Sequence, residues 1–239
     1  MKRTDGRGKN ELRKLNLIRN YLKFSGGSVL VEFGDTRVIC TAFIEPGVPS
    51  FLRGKEEGWL TSEYSMLPGS NRTRIMRESS AGKIKGRTHE IQRLIGRSLR
   101  AVIDLKKIGE NTIWIDCDVI QADGGTRTSS ISGAYVALYD AVKKAMSQGL
   151  FEEWPIKNFI GAVSVGIVNG EFLLDLDYSE DSQADVDMNV VMTDKGHLIE
   201  VQGTAERKTF SIKDMEVLMK LARNGIKDII KFQKSVLKV

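Results

Sequence analysis

Two stretches of the sequence carry side chains whose types and spacing suit phosphate chemistry. The first is QADGGTRTSSISGA, residues 121 to 134. Its two glycines let the backbone bend and approach a ligand closely, its threonines and serines offer hydroxyl donors, and Arg127 offers a planar charged fork. A helix starting behind them adds free N–H groups and the positive end of its dipole. The stretch lacks the G-x-x-x-x-G-K-[ST] spacing of a Walker-type nucleotide loop. It reads either as an anion cradle or as an ordinary hydroxyl-rich helix cap.

The second stretch is DYSEDSQADVDMNVVM, residues 177 to 192, where Asp177, Glu180, Asp181, Asp185 and Asp187 crowd ahead of an apolar strand. Asp185, Asp187 and Asn189 alternate, so a strand places them on one face, with Asp181 in the preceding loop within reach. Like charges this close repel unless a cation joins them. All-oxygen ligands suit Mg²⁺ or Mn²⁺, which bind through one or two carboxylates plus substrate phosphate oxygens. A solvated acidic turn is the plainer alternative.

A third feature is a concentration of positive charge. Between Asn71 and Arg100 nine Lys and Arg face two Glu, a local +7 in a chain of net charge +5, so the remaining residues carry −2. Basicity confined to one segment suits a local polyanion, or else a solvated basic face. A phosphate cradle, a carboxylate pair and a cationic segment together suit phosphoryl transfer on nucleic acid. They leave open whether water or phosphate attacks.

The elements that must position these groups are legible from periodicity. SVLVEF and RVICTAFIE flank GDT, and IGAVSVGIV and EFLLDLD flank NG, so each pair reads as a β-hairpin. WLTSEYSML and NTIWIDCDVI read as further strands, and the stretches around EPGVPSFLRGKEEG and LPGSNRTRIMRESSAGKIKG as loops. Apolar residues at helical spacing predict helices over 87–107, 129–146 and 211–234, with a strand, a turn at 194–196 and another strand before the last. The expected order is β-β-β-α-β-α followed by β-β-β-β-α, one compact α+β domain over residues 1–239 with mixed sheets packed against helices.

Composition excludes several classes. No run of 18 apolar residues exists, and MKRTDGRGKNELRK has no apolar segment behind it, so neither a membrane span nor a secretory signal is expected and the cytoplasm follows. Cys40 and Cys117 lie in apolar strand-like runs and are expected to be buried thiols. His89 and His197 lack neighbours at zinc-ligand spacing.

Five blocks carry a family resemblance: TDGR, GRTHEIQRLIGRSLRAVIDL, DCDVIQADGGTRTSSISGA, DLDYSEDSQADVDMNVVMT and EVQGTAE. In this order, across nearly the whole chain, they resemble the signature blocks of the ribonuclease PH family, bacterial phosphate-dependent 3′ exoribonucleases that trim tRNA precursors. The resemblance implies that inorganic phosphate attacks the last phosphodiester of an RNA 3′ end and releases a nucleoside 5′-diphosphate, with reverse polymerisation also open. It implies that Gly125, Thr126, Arg127 and Thr128 hold the phosphate, that Arg87 contacts phosphate or the terminal nucleotide, and that Asp181 and Asp187 support Mg²⁺ and the charge on the leaving oxygen. It further implies the family's β-α fold, also seen in a ribosomal protein domain, and a homo-hexameric ring of three dimers. Arg72, Arg74, Arg77, Arg93 and Arg97 would then guide tRNA and other RNA ends. Two departures stand out: no proline precedes DGR or soon follows ELR, and the loop MLPGSNRTRIMRESS is poorer in arginine and histidine than the family's. A non-catalytic RNA-binding ring subunit and a hydrolytic metal-dependent nuclease are the rival readings.

Overall fold

The computed structural model describes residues 3–239. Its first sheet contains β1 (Leu15–Arg19), β2 (Gly27–Phe33), β3 (Thr36–Pro46), β4 (Trp59–Met66) and β5 (Asn111–Gln121), in the spatial order β1-β2-β3-β5-β4. All its pairings are antiparallel except β4 with β5, which is parallel. A parallel pair needs a crossover, and here it contains α1 (Gly86–Arg100). The second sheet is antiparallel, in the order β7-β6-β8-β9, from β6 (Ile160–Val168), β7 (Glu171–Leu174), β8 (Val186–Thr193) and β9 (Leu198–Ala205). The remaining helices are α2 (Thr126–Ser147), the single turn α3 (Tyr178–Asp181) and α4 (Ile212–Leu237).

Both predicted hairpins form. Gly34 and Asp35 join β2 to β3, and Asn169 and Gly170 join β6 to β7. Asn169, Gly170 and Gly34 all have positive φ, the backbone that tight hairpin turns demand. The α+β class with mixed sheets and packed helices is the architecture found.

α2 lies against β2 and β3 on one side and β6 on the other, which places it between the two sheets. Close approach is possible because residues at the contact lack side chains: a Cβ on Gly27 would sit 2.0 Å from the Ala137 carbonyl oxygen, where no rotamer can yield. One hydrophobic cluster consequently runs from Leu17 in β1 through Ile131 and Tyr135 in α2 to Leu237 in α4. Cys40 and Cys117 are register partners across β3 and β5, and both are buried free thiols.

Several elements differ from expectation, among them the turn α3, which interrupts the expected run of strands in the second half. β1 is an additional strand, LNLIR, whose alternation is too short to stand out from the charged residues around it. α1 stops at Arg100 although the apolar period continues, because Asp104 accepts from the Lys106 N–H and starts a separate 3₁₀ turn over Leu105–Ile108. α2 begins at Thr126, three residues earlier than predicted, with Gly125 in the left-handed region as its N-cap.

Candidate active site

A cavity of about 520 Å³ opens where the start of α2 meets the second sheet. Its walls include Arg87, Gly124, Gly125, Thr126, Arg127, Asp181 and Asp187, which bring both chemical stretches and the first residues of the basic helix into one place.

The loop before α2 is held in shape from below. Gly124 and Gly125 have φ of +79° and +63°, and a Cβ on Gly124 would lie 2.6 Å from the Leu176 carbonyl oxygen. The buried Arg13 guanidinium donates to the Asp123 carbonyl and to both oxygens of Asp175, the latter at 2.7 and 3.0 Å. Thr36 donates its hydroxyl to the Gly124 carbonyl at 2.7 Å. With these carbonyls engaged, the first-turn N–H groups of α2, which have no partner within the helix, form the electropositive side of the loop. Thr126 is fixed by Tyr64, whose hydroxyl donates to Thr126 Oγ1 at 2.9 Å.

Arg127 extends from the first turn and donates from Nη1 to Gln202 Oε1 at 2.5 Å and to Glu90 Oε1 at 3.3 Å. Both contacts are monodentate, so the guanidinium is oriented while donors remain for a bound anion.

The acidic side is built by register. Asp187 lies opposite Gly166 and Thr204, and Asn189 lies opposite Ser164 and Gln202, so one end of the second sheet presents a polar face made by three strands. Asn189 donates its amide to Asp187 Oδ2 at 3.3 Å. Asp181 reaches the cavity from α3, which is fixed by a capping box between Asp177 and Glu180 and by Arg3, bidentate to Glu180 at 2.6 and 2.7 Å.

Burial raises the Asp187 carboxyl to about 6, with the Asp181 charge pushing the same way and Arg127 and Asn189 pulling against them. Asp181 is raised too, by loss of water around its carboxyl, against the attraction of Arg87 and Arg127. Two carboxyls strained toward protonation are the electrostatic setting that a divalent cation relieves. Among the described residues no group of three or more His, Cys, Asp or Glu could hold a metal ion. The pair therefore fits an ion completed by water and phosphate oxygens, the usual habit of Mg²⁺, and not an all-protein cage.

Other expected site residues lie outside the cavity. Thr128 is buried and donates its hydroxyl to the Gly125 carbonyl at 2.9 Å, supporting the loop from within the helix. Arg72 lies over the Tyr178 ring, Arg74 and Arg77 are exposed in the loop between β4 and α1, and Arg93 is exposed on α1. Arg97 forms an ion pair with Glu200 of β9 at 2.9 Å. Asp185 precedes β8 and pairs with Lys208 at 3.1 Å, so of the alternating trio only Asp187 and Asn189 line the cavity. Sequence reading passed over Tyr64, Ser164, Gln202, Glu206 and Arg207, which distant segments bring into or beside the site, and Tyr178, which α3 carries next to Asp181.

Comparison with known proteins identifies the family and the fold. Residues 11–144 match the model of the 3′ exoribonuclease family, domain 1, and residues 158–225 that of domain 2. Ribonuclease PH of Syntrophomonas wolfei is 57% identical over 239 residues, covering 100% of both chains. Among solved structures, rice (Oryza sativa) Rrp46 superposes with a TM-score of 0.82 at 22% identity, covering 99% of this chain and 100% of that one. A chain of the Archaeoglobus fulgidus exosome, solved with RNA bound to the active site, gives a TM-score of 0.78 at 22% identity, with 95% and 91% covered.

Proposed function

The chain belongs to the ribonuclease PH family of 3′ exoribonucleases, and on that premise we propose that it removes 3′-terminal nucleotides from tRNA precursors and other RNA ends by phosphorolysis. Inorganic phosphate is the co-substrate and nucleoside 5′-diphosphates are the products. The observation that carries this reading is the joining, in one cavity, of a helix N-terminus bearing Arg127 with a desolvated carboxylate pair.

In this reading orthophosphate sits against the Gly125 and Thr126 N–H groups and the Arg127 guanidinium, with Arg87 on its other side. These donors neutralise and orient the nucleophile so that one oxygen faces the terminal phosphodiester in line with the departing 3′ oxygen. That P–O bond breaks as the new P–O bond forms, leaving an RNA shorter by one nucleotide and a diphosphate. Asp181 and Asp187 face the leaving oxygen. Asp181 and Asp187 would hold a Mg²⁺ ion here, and its positive charge would stabilise that oxygen. Tyr64 and Thr128 act on the cradle and not on the substrate: one fixes the Thr126 hydroxyl and the other the Gly125 carbonyl.

Product analysis tests the reading. A short unstructured RNA incubated with the enzyme should be degraded only with added phosphate and should yield diphosphates. Monophosphates formed without phosphate would assign hydrolysis, and no product under either condition would assign a binding subunit.

The same proposal includes a cytoplasmic homo-hexamer of three dimers that gathers the exposed cations around one opening. Among the described residues no helix is long and apolar enough to cross a membrane. Arg74 and Arg77 act in this reading on the tRNA backbone, as do Arg93 and Arg97. Replacing Arg74 and Arg77 by Ala together should weaken tRNA binding and reduce the slope of log affinity against log salt by about 1.5, at roughly 0.7–0.9 per lost phosphate contact. An unchanged slope would remove them from the RNA path.

A further inference from the structure

Tyr178 is the first residue of α3 and lines the cavity with 46% of its surface exposed. Among the described residues that wall the cavity it is the one aromatic side chain. The Arg72 guanidinium lies 5.1 Å from its ring centroid. Arg72 belongs to the wall of a neighbouring cavity of about 920 Å³, which Tyr178 does not line. The ring therefore contributes its exposed surface to the active-site cavity and carries a cation packed over it.

The ring is also rigidly placed. α3 is one turn long, so Tyr178 and Asp181 are three positions apart on an element that Arg3 and the capping box fix through Asp177 and Glu180. Any group resting on the ring is thereby held at a set offset from the carboxylate pair. The phenol O–H can donate to an oxygen, but the ring face cannot, and it is the face that sets Tyr178 apart from the other residues of the wall. What the face attracts is another planar π-system, and an aromatic ring with a guanidinium packed on it is the combination by which single-stranded nucleic acid is bound through its bases.

We propose that Tyr178, backed by Arg72, is the platform on which one of the two nucleobases flanking the scissile phosphodiester stacks. This rests on the reading of the cavity as an RNA 3′-end site. Tyr178 is a positioning residue in this account: stacking fixes the nucleotide and leaves the chemistry to Arg127 and the carboxylates. Every base has a π-face, so such a platform suits an enzyme that must accept each nucleotide in turn.

The test uses the full-length Asp187→Asn protein without added phosphate, so that RNA binds without turnover, and short RNAs carrying the fluorescent base 2-aminopurine at the last or the penultimate position. Stacking on Tyr178 should quench the fluorophore on binding in at least one of the two positions. Adding Tyr178→Ala should remove the quenching and weaken RNA affinity by roughly 5- to 150-fold, the range for loss of one base–aromatic stack. Tyr178→Phe should keep both, and Tyr178→Leu, of similar bulk without a π-face, should behave as the Ala variant. In the active enzyme Tyr178→Ala should raise KM for RNA and leave KM for phosphate in place. Quenching that persists in the Ala and Leu variants, or that is lost equally in the Phe variant, would overturn the platform. The binding assay involves no chemistry, so a hydrolytic product pattern would end the phosphorolytic reading and leave this result standing. Failure of RNA to bind at all would end both.

Discussion

Arg127→Ala should lower phosphate-dependent turnover by about 10²–10⁴-fold while RNA affinity stays near the parent value. Loss of a single neutral donor aimed at a reacting oxyanion costs on the order of 10²–10³ in rate. Arg127 adds full charge and a forked geometry to that, in a partly desolvated cavity where screening by water is reduced. Its contacts with Glu90 and Gln202 are part-exposed, so their loss should change stability by less than about 1 kcal/mol. Arg127→Lys should recover little, because a point charge does not reproduce the fork. Steady-state kinetics at varied phosphate, with RNA binding measured separately, reads both quantities. Lost RNA binding with normal turnover at saturating RNA would reverse the assignment.

Asp187→Asn should have opposite effects on activity and stability. Turnover should fall by about 10²-fold or more, because the leaving oxygen loses half of the carboxylate pair that would carry its countercharge. Stability at neutral pH should rise. The folded state raises this carboxyl from 3.8 to about 6, so its ionised form is destabilising in the fold. Below about pH 4 the wild-type group is protonated in both states and contributes no penalty. The penalty grows as pH rises from about 4 to about 6 and is complete above that. At 1.36 kcal/mol per unit, discounted for the water that reaches the cavity, removing it should stabilise by ~1–2 kcal/mol above pH 7. Thermal unfolding at pH 4 and pH 7.5 tests the sign: the variant should gain at the higher pH and not at the lower, and added Mg²⁺ should narrow the gap by stabilising the wild type. An equal loss at both values would mean that Asp187 is a structural acid. This is the trade-off expected where a site holds like charges together for function.

Some parts of this site were readable from a single sequence because their information is local. Consecutive glycines, hydroxyls and an arginine between a strand and a helix describe the cradle without reference to any other segment. Crowded carboxylates before an apolar strand likewise announce the acidic side. Both hairpins followed from two-residue turns between alternating runs. The expected start of α2 lies three residues late because serine and threonine favour caps, whereas here burial between two sheets carries helical structure through the hydroxyl-rich turn.

What the sequence could not rank was decided by pairing between distant segments. Asp185 and Asp187 are equivalent in any periodic pattern, yet Lys208 takes the first while the register with β6 and β9 aims the second at Arg127. Gln202 enters the site only because β9 pairs with β8. Nothing local marks Arg13 or Arg3, yet in the structure one fixes the cradle loop through Asp175 and the other fixes α3 through Glu180. Of the basic segment, Arg87 alone faces the chemistry, Arg97 is paired with Glu200, and Arg72 lies on an aromatic ring, distinctions that net charge does not contain.

A crystal of the full chain soaked in phosphate bears most directly on the whole account. An anion should bind against the Arg127 guanidinium and the Gly125 and Thr126 N–H groups, with Asp181 and Asp187 across the cavity from it. An ordered but empty corner at saturating phosphate, or an anion held elsewhere and out of reach of both carboxylates, would contradict it.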